Sequence, residues 1–296
     1  AKRPLGSHSI KLEEFVPPTL VAKISRSRTR GTLKEPVTFT VNARHLFGAP
    51  AANQPLNARY QFSSTPFSHA GWEDYHFVDR EQPDYTGKRI RLDKLKLDPQ
   101  GEYILKPKLE DGVKANSAIR VSVAATVMEP SGRTVSAGDG AIIDPFPWYV
   151  GIHTPANKLR AKGHPIMLNL ARVRPDGKTA DDPVPLQAVV DQVTWVQLLR
   201  KEHSAYRQVR ERRLERIAKA SVPCNGKAKW SFIPEKAGIY RVRVSDPSSG
   251  HATTIDVEVK GSMAVAEATR NNRHSPHKLR VELLDTPPLA PGARAR

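Results

Sequence analysis

An all-β chain folded as tandem β-sandwiches of about seven strands each is the architecture this sequence predicts, and three observations carry it. Its 296 residues are 39% hydrophobic, but 25 prolines and 18 glycines spread along the chain interrupt any long helix. Apolar and polar residues alternate over short runs bounded by turn-forming residues, the pattern of half-buried strands. Proline punctuation at Pro17 and Pro18 recurs at Pro145 and Pro147, each time ahead of a new strand-like run. The length suits about two domains at roughly 100–200 residues each.

Residues 9–15 alternate about Ile10 and Leu12, and 1–16 read as the end of a preceding domain or a linker. Pro17 and Pro18 stop that pairing and open a first sandwich over 17–146. Strands are expected at 20–24, 37–41 and 57–62, followed over 63–87 by a polar excursion carrying Phe67, Trp72, Tyr75, Phe77 and Tyr85. Residues 89–97 alternate strictly, and Asp98-Pro99-Gln100-Gly101 is a turn leading into a strand at 102–105. A closing hairpin is expected from 118–128 and 133–143 around Glu129-Pro130-Ser131-Gly132. The count is that of an immunoglobulin-like sandwich.

A second sandwich is expected over 147–261, with strands at 148–152, 165–173, 189–199, 229–232, 238–244 and 253–259. Within it, residues 200–219 form a basic insertion of eight Lys and Arg against three Glu. Ala205, Val209, Leu214 and Ile217 recur at spacings compatible with a short amphipathic helix; the other readings are a solvated charged insertion or a long twisted hairpin on one edge. Residues 262–296 read as a linker and, at 278–284, the first strand of a following domain, which a lone strand could not complete.

The chain carries 47 Lys and Arg against 30 Asp and Glu, a net charge of +17, which raises a polyanion as a partner. Arg207, Arg210, Arg212, Arg213 and Arg216 are the residues that would form such a surface, or else a protease-sensitive one. Trp72, Tyr75 and Phe77 could present an aromatic face to a sugar or peptide, although aromatics in a long sandwich loop more often cap the core.

Catalytic signatures are decoys. Asp176-Gly177-Lys178-Thr179 resembles the end of a phosphate-binding loop, but Arg172 stands where the first glycine is required. The single cysteine, Cys224, excludes an intrachain disulfide and a cysteine-based zinc site, and reads as a buried spacer rather than a nucleophile. His274 and His277, with His251 upstream, read as solvent-exposed histidines rather than metal ligands. No catalytic residue, cofactor, metal or small-molecule substrate is expected. No apolar run reaches the roughly 18 residues of a membrane span, and the first residues lack a signal-peptide core. Either a cytosolic protein or a mature or excised piece of a longer one is expected.

Short motifs in order resemble one family. The run Lys11-Leu12-Glu13-Glu14-Phe15-Val16-Pro17-Pro18 resembles the junction between consecutive macroglobulin domains of alpha-2-macroglobulins and complement-type proteins. The segment from Arg44 through Phe47 and Gly48 to Ala52 is similar to the stretch just after that junction in the bacterial branch. Similar too are the turn at 95–101, the closing hairpin at 235–246, and the opening at 279–285 with Pro291 and Gly292. The resemblance implies macroglobulin-type sandwiches serving as non-catalytic framework in a bacterial protease-trapping inhibitor. It also implies a periplasmic, inner-membrane-tethered location, with neighbouring macroglobulin domains of the same chain as partners and proteases engaged through the full-length protein. The family's thioester needs a Cys two residues before Glu-Gln; Cys224 is followed by Asn225, Gly226 and Lys227, so none forms here. The bait segment belongs to a later part of such proteins and is not assigned to the basic insertion.

Overall fold

The computed structural model describes residues 19–155, 160–202 and 205–261. The strands expected at 9–15 and 278–284 lie outside these residues.

Fifteen strands and no helix make up the described chain: β1 (Leu20–Arg26), β2 (Arg30–Thr32), β3 (Phe39–His45), β4 (Pro55–Thr65), β5 (Ile90–Lys96), β6 (Glu102–Leu105), β7 (Ala118–Met128), β8 (Thr134–Asp144), β9 (Tyr149–His153), β10 (Ile166–Val173), β11 (Pro183–Glu202), β12 (Ala205–Asn225), β13 (Lys227–Phe232), β14 (Gly238–Ser245) and β15 (Ala252–Val259).

The first eight strands form two facing sheets, β1-β3-β6 and β2-β8-β7-β4-β5. Alternation explains the core: Phe39, Val41 and Ala43 of β3 meet Ile119, Val121, Val123 and Val127 of β7, all buried. β2 escapes sequence reading because three residues show no period; it is held by parallel pairing of Arg30–Thr32 with Ile142, Ile143 and Asp144 of β8.

The last seven strands run in the order β15-β14-β11-β12-β13-β10-β9. β12 and β13 pair only at Asn225 and Lys227, so the sheet folds at that corner. One core then lies between its halves, with Leu168 and Leu170 of β10 beside Leu186, Ala188 and Val190 of β11 and Val242 and Val244 of β14.

β11 starts at Pro183, six residues before the strand expected at 189. Pro183 and Pro185 hide it, since proline within a run argues against a strand. Pro185 stands opposite Pro223, where neither residue has an N–H to give, and β14 joins β11 only from Gln187 onward. No ladder bond is therefore lost.

The basic insertion is neither a helix nor an edge feature. It forms the distal part of the β11–β12 hairpin, whose base lies inside the sheet between β14 and β13. Paired strand geometry, satisfied on every second residue, displaces the helical reading of Val209, Leu214 and Ile217. Past the pair Val193 and Leu214 no third strand accompanies the hairpin, because the β11–β14 pairing ends at Ile239. Nine further pairs, Thr194 with Arg213 through Glu202 with Ala205, project as a two-stranded arm, about 30 Å long at roughly 3.4 Å per residue.

Candidate functional site

The excursion at 66–87 leaves the first sandwich and packs onto the second, so the candidate site is a seam between them. Phe67, Trp72, Phe77, Ala118, Tyr149, Ala171 and Val173 form one buried cluster drawn from both. Phe67 stacks on Tyr149 with centroids 4.1 Å apart and stands edge-on to Phe77 at 4.9 Å. His76 exchanges both backbone hydrogen bonds with Ile152 of β9, extending the second sheet by one bridge. The Trp72 indole N–H donates to the Gly177 carbonyl at 2.9 Å. Gly151 makes this approach possible: a Cβ there would lie 2.6 Å from Phe77 Cε1.

This corrects the aromatic surface. Trp72 and Phe77 are 8% and 2% exposed and Tyr75 is half-buried, so they are joint packing and not an open face for a sugar or peptide. They cap a core, as loop aromatics commonly do, but one that two sandwiches share.

Ion pairs flank the aromatics. Asp79, 4% exposed, accepts from Arg243 Nη2 at 2.8 Å and Thr254 Oγ1 at 2.7 Å. Burial works to raise the Asp79 pKa, but these bonds and the Glu81 N–H outweigh it and hold the carboxyl below its usual range. Arg241 donates to Asp256 on its own sheet and to Glu81 across the seam at 2.6 Å. Those bonds, that to Asp256 foremost, outweigh desolvation and push its pKa upward. Arg172 is 3% exposed, donates to Asp246 and Asp182 at 2.8 and 3.0 Å, and lies 4.3 Å over Trp148.

His251 links the two units through backbone groups. Its Nδ1 accepts from the Val150 N–H at 3.0 Å, so Nε2 carries the proton and donates to the Phe77 carbonyl at 3.2 Å. The ring is 1% exposed, and burial pushes its pKa down to about 4. The expectation of a solvent-exposed His251 is therefore overturned; His274 and His277 lie outside the described residues. Cys224 is buried in the second core, where burial pushes its thiol up to about 11.

The register of the β11–β12 hairpin distributes the predicted arginines. Arg210, Arg212 and Arg216 oppose Gln197, Trp195 and Asp191, which puts them on one face with Leu214; Arg213 opposes Thr194 on the other. Arg210 lies 5.0 Å over the Trp195 ring, Arg216 pairs with Asp191, and Arg212 reaches within 4.0 Å of Glu81. Arg207 pairs with Arg200 in the backbone register near the arm's tip. Among the described residues no group of three or more His, Cys, Asp or Glu could hold a metal ion.

Sequence reasoning missed Asp79, Arg241, Arg243, Asp246 and the buried role of His251. One signal was present: Arg241 and Arg243 occupy alternate positions of a strand whose other face, Tyr240, Val242 and Val244, is buried, so both project from one face.

A linked pair of macroglobulin-type sandwiches is the class that this fold and seam define. Residues 21–141 match "Bacterial Alpha-2-macroglobulin MG5 domain" and residues 151–260 match "Bacterial macroglobulin domain 6". The chain belongs to the bacterial alpha-2-macroglobulin family. It is 26% identical over 259 residues to the alpha-2-macroglobulin of Xylella fastidiosa (strain 9a5c), covering 84% of this chain and 15% of that protein. To the Pasteurella multocida (strain Pm70) protein it is 21% identical over 276 residues, covering 90% and 14%. The chain thus spans about one seventh of the length of these relatives. Among solved structures, the native conformation of the Escherichia coli protein aligns with a TM-score of 0.62 at 18% identity, over 84% of this chain and 16% of that one. The E. coli protein activated by porcine elastase aligns at 0.63 and 18%, over 84% and 22%. The Salmonella protein reacted with methylamine aligns at 0.62 and 18%, over 83% and 17%.

Proposed function

We propose that this section of an alpha-2-macroglobulin-like protein is non-catalytic framework for a protease-trapping inhibitor, periplasmic and tethered to the inner membrane. The observation that carries the reading is the seam. Buried aromatics, cross-unit ion pairs and a backbone bridge join the sandwiches. A piece built this way sets geometry and passes on a rearrangement without itself doing chemistry. Proteases are engaged through the full-length protein, and neighbouring macroglobulin domains are the direct partners. Incubated alone with trypsin or elastase, the chain forms no covalent adduct on a denaturing gel; a stoichiometric adduct would sink the reading. Fractionation of the native host should recover the full-length protein with the inner membrane, and recovery in the cytosol removes that location.

A second reading rests on the hairpin, one face of which carries Arg210 and Arg212 on the arm beside Trp195 and Arg216 at the base. On this reading the arm binds a polyanion, and retention on immobilised heparin falls steeply between about 50 and 200 mM salt. Retention left unchanged when these arginines are replaced by Gln excludes it.

A further inference from the structure

Three cations of the β11–β12 hairpin are engaged: Arg210 lies over Trp195, Arg212 reaches Glu81 and Arg216 pairs with Asp191. A different set is free. Lys88, Arg89, Arg91, Lys94 and Lys96 run along β5 and the residues just before it, and Arg59 stands beside them on β4. All six are exposed, and among the described residues none of their side chains has an ion pair or hydrogen bond. Asp93 is the one carboxylate in the run 88–96.

The register gathers these charges on one face. Leu56, Ala58 and Phe62 of β4 turn into the first core, so Pro55, Asn57, Arg59, Gln61 and Ser63 face outward. Arg59 is the direct partner of Arg91, and Pro55 of Lys96. Like charges placed opposite one another weaken a sheet, yet this pair stands with no carboxylate to offset it. Lysines on an edge strand commonly deter pairing with a second sheet. That accounts for Lys94 and Lys96 but not for Arg59, whose strand lies between β5 and β7. Beyond Arg59 the same row continues through Ala124 to Gly138, and the adjoining rows hold Ser122 with Gly140 and Thr126 with Ser136. No exposed carboxylate and no aromatic ring faces outward from β4, β7 or β8. The four strands make a flat basic face, roughly 14 Å across at about 4.8 Å per strand.

We propose that the outer face of β4 and β5 docks on an anionic lipid bilayer, with Arg59, Arg89 and Arg91 at phosphate-bearing headgroups and Lys88, Lys94 and Lys96 around them. The shape selects a planar partner. A single nucleic-acid strand calls for aromatic rings on which bases stack, and reading a duplex calls for an element that enters a groove; this face offers neither. The rows beside Arg59 hold only Ala, Gly, Ser and Thr, so nothing there inserts into hydrocarbon. Attachment is therefore electrostatic, strengthened by each cation and lost as salt shortens the screening length. The inference goes beyond the framework reading and does not depend on it.

Sedimentation of the whole chain with vesicles tests it. Vesicles of phosphatidylglycerol and phosphatidylcholine should carry the chain down and vesicles of phosphatidylcholine alone should not, with partition falling at least about tenfold between about 0.05 and about 0.5 M salt. Arg59→Gln with Arg89→Gln and Arg91→Gln should lower partition at least about tenfold. The same variant should keep the parent's urea midpoint or exceed it, because the opposed pair is relieved. Arg210→Gln with Arg212→Gln should partition as the parent does. Equal binding to both kinds of vesicle, a triple variant that partitions like the parent, or an equal loss in the hairpin variant overturns the proposal. So does release by inorganic phosphate well beyond that by chloride at equal ionic strength, which marks a site for the free anion, and so does retention on heparin without any vesicle binding, which marks a sulfated chain.

Discussion

At the scale of single residues, the seam changes the protonation chemistry of His251. Burial is the largest influence and favours the neutral ring; with the repulsion from Arg243 it outweighs the Phe77 carbonyl and the Asp79 and Asp246 carboxylates, which favour an imidazolium. Protonation would also turn Nδ1 into a donor facing the Val150 N–H, a bond the folded chain cannot keep. The unfolded imidazole titrates near 6.5 and the folded one at about 4. Between those values the unfolded state binds more protons, so the contribution of His251 is intact above the upper one and is lost as pH falls through the window, up to about 3 kcal/mol. Asp79, Asp246 and Asp256 are all held below their ordinary range, and their contributions fail only at lower pH still. Urea midpoints of the chain should fall between pH 7 and pH 5, and His251→Gln, which keeps a side-chain donor and acceptor, should flatten that slope. An equal slope in both proteins contradicts the assignment. None of this is legible in the sequence, where His251 comes directly after a Pro-Ser-Ser-Gly turn; its burial comes from Phe77, 174 residues away.

At the scale of elements, legibility tracks the period. Strand β7 is legible to its end residues because Ile119, Val121, Val123, Ala125 and Val127 alternate without a break. The arm is not, because a two-stranded ribbon without a core imposes no apolar face, leaving Val209, Leu214 and Ile217 as compatible with a helix as with a strand. Two-stranded ribbons alone are marginal in water, and the arm gains nothing from a third strand past Val193. Its removal should therefore cost the sandwich little. Joining Thr194 to Arg213 through Asn-Gly, the two-residue turn that suits a tight hairpin, should leave the unfolding free energy from urea titration within about 1 kcal/mol of the parent, as expected for surface changes roughly neutral to the core. The shortened chain should also lose the trypsin sites at Arg200, Lys201, Arg207, Arg210 and Arg212, which belong to the stretch 200–219 where the parent is expected to be cut first. Collapse of the sandwich on shortening would show that the arm packs against something the sheet needs.

At the scale of the whole molecule, the question is whether two sandwiches unfold as one. The aromatics of the excursion are visible as a set in the sequence, but their destination is not, since each seam contact joins residues far apart, as Asp79 with Arg243 and Glu81 with Arg241 do. A loop with a core of its own would let each unit melt alone; here Phe67, Trp72 and Phe77 have no core except the one shared with Tyr149, Ala171 and Val173. Losing either sandwich exposes that cluster and leaves Asp79, at 4% exposure, without its cationic partner. Calorimetry should accordingly show a single transition for the parent chain. Gly151→Ala tests the cause, because its Cβ would lie 2.6 Å from Phe77 Cε1 and 3.0 Å from Tyr75 Cδ1 while leaving the ladder between β9 and β10 intact. Overpacking of this kind costs about 1–3 kcal/mol, and at this position the cost falls on the joint and not on either core. The variant should therefore resolve into two transitions, with His76 and Ile152 amides exchanging at the rate of the less stable unit. If Gly151→Ala instead lowers one unbroken transition, the coupling between the sandwiches runs through the flanking ion pairs rather than through the aromatic cluster.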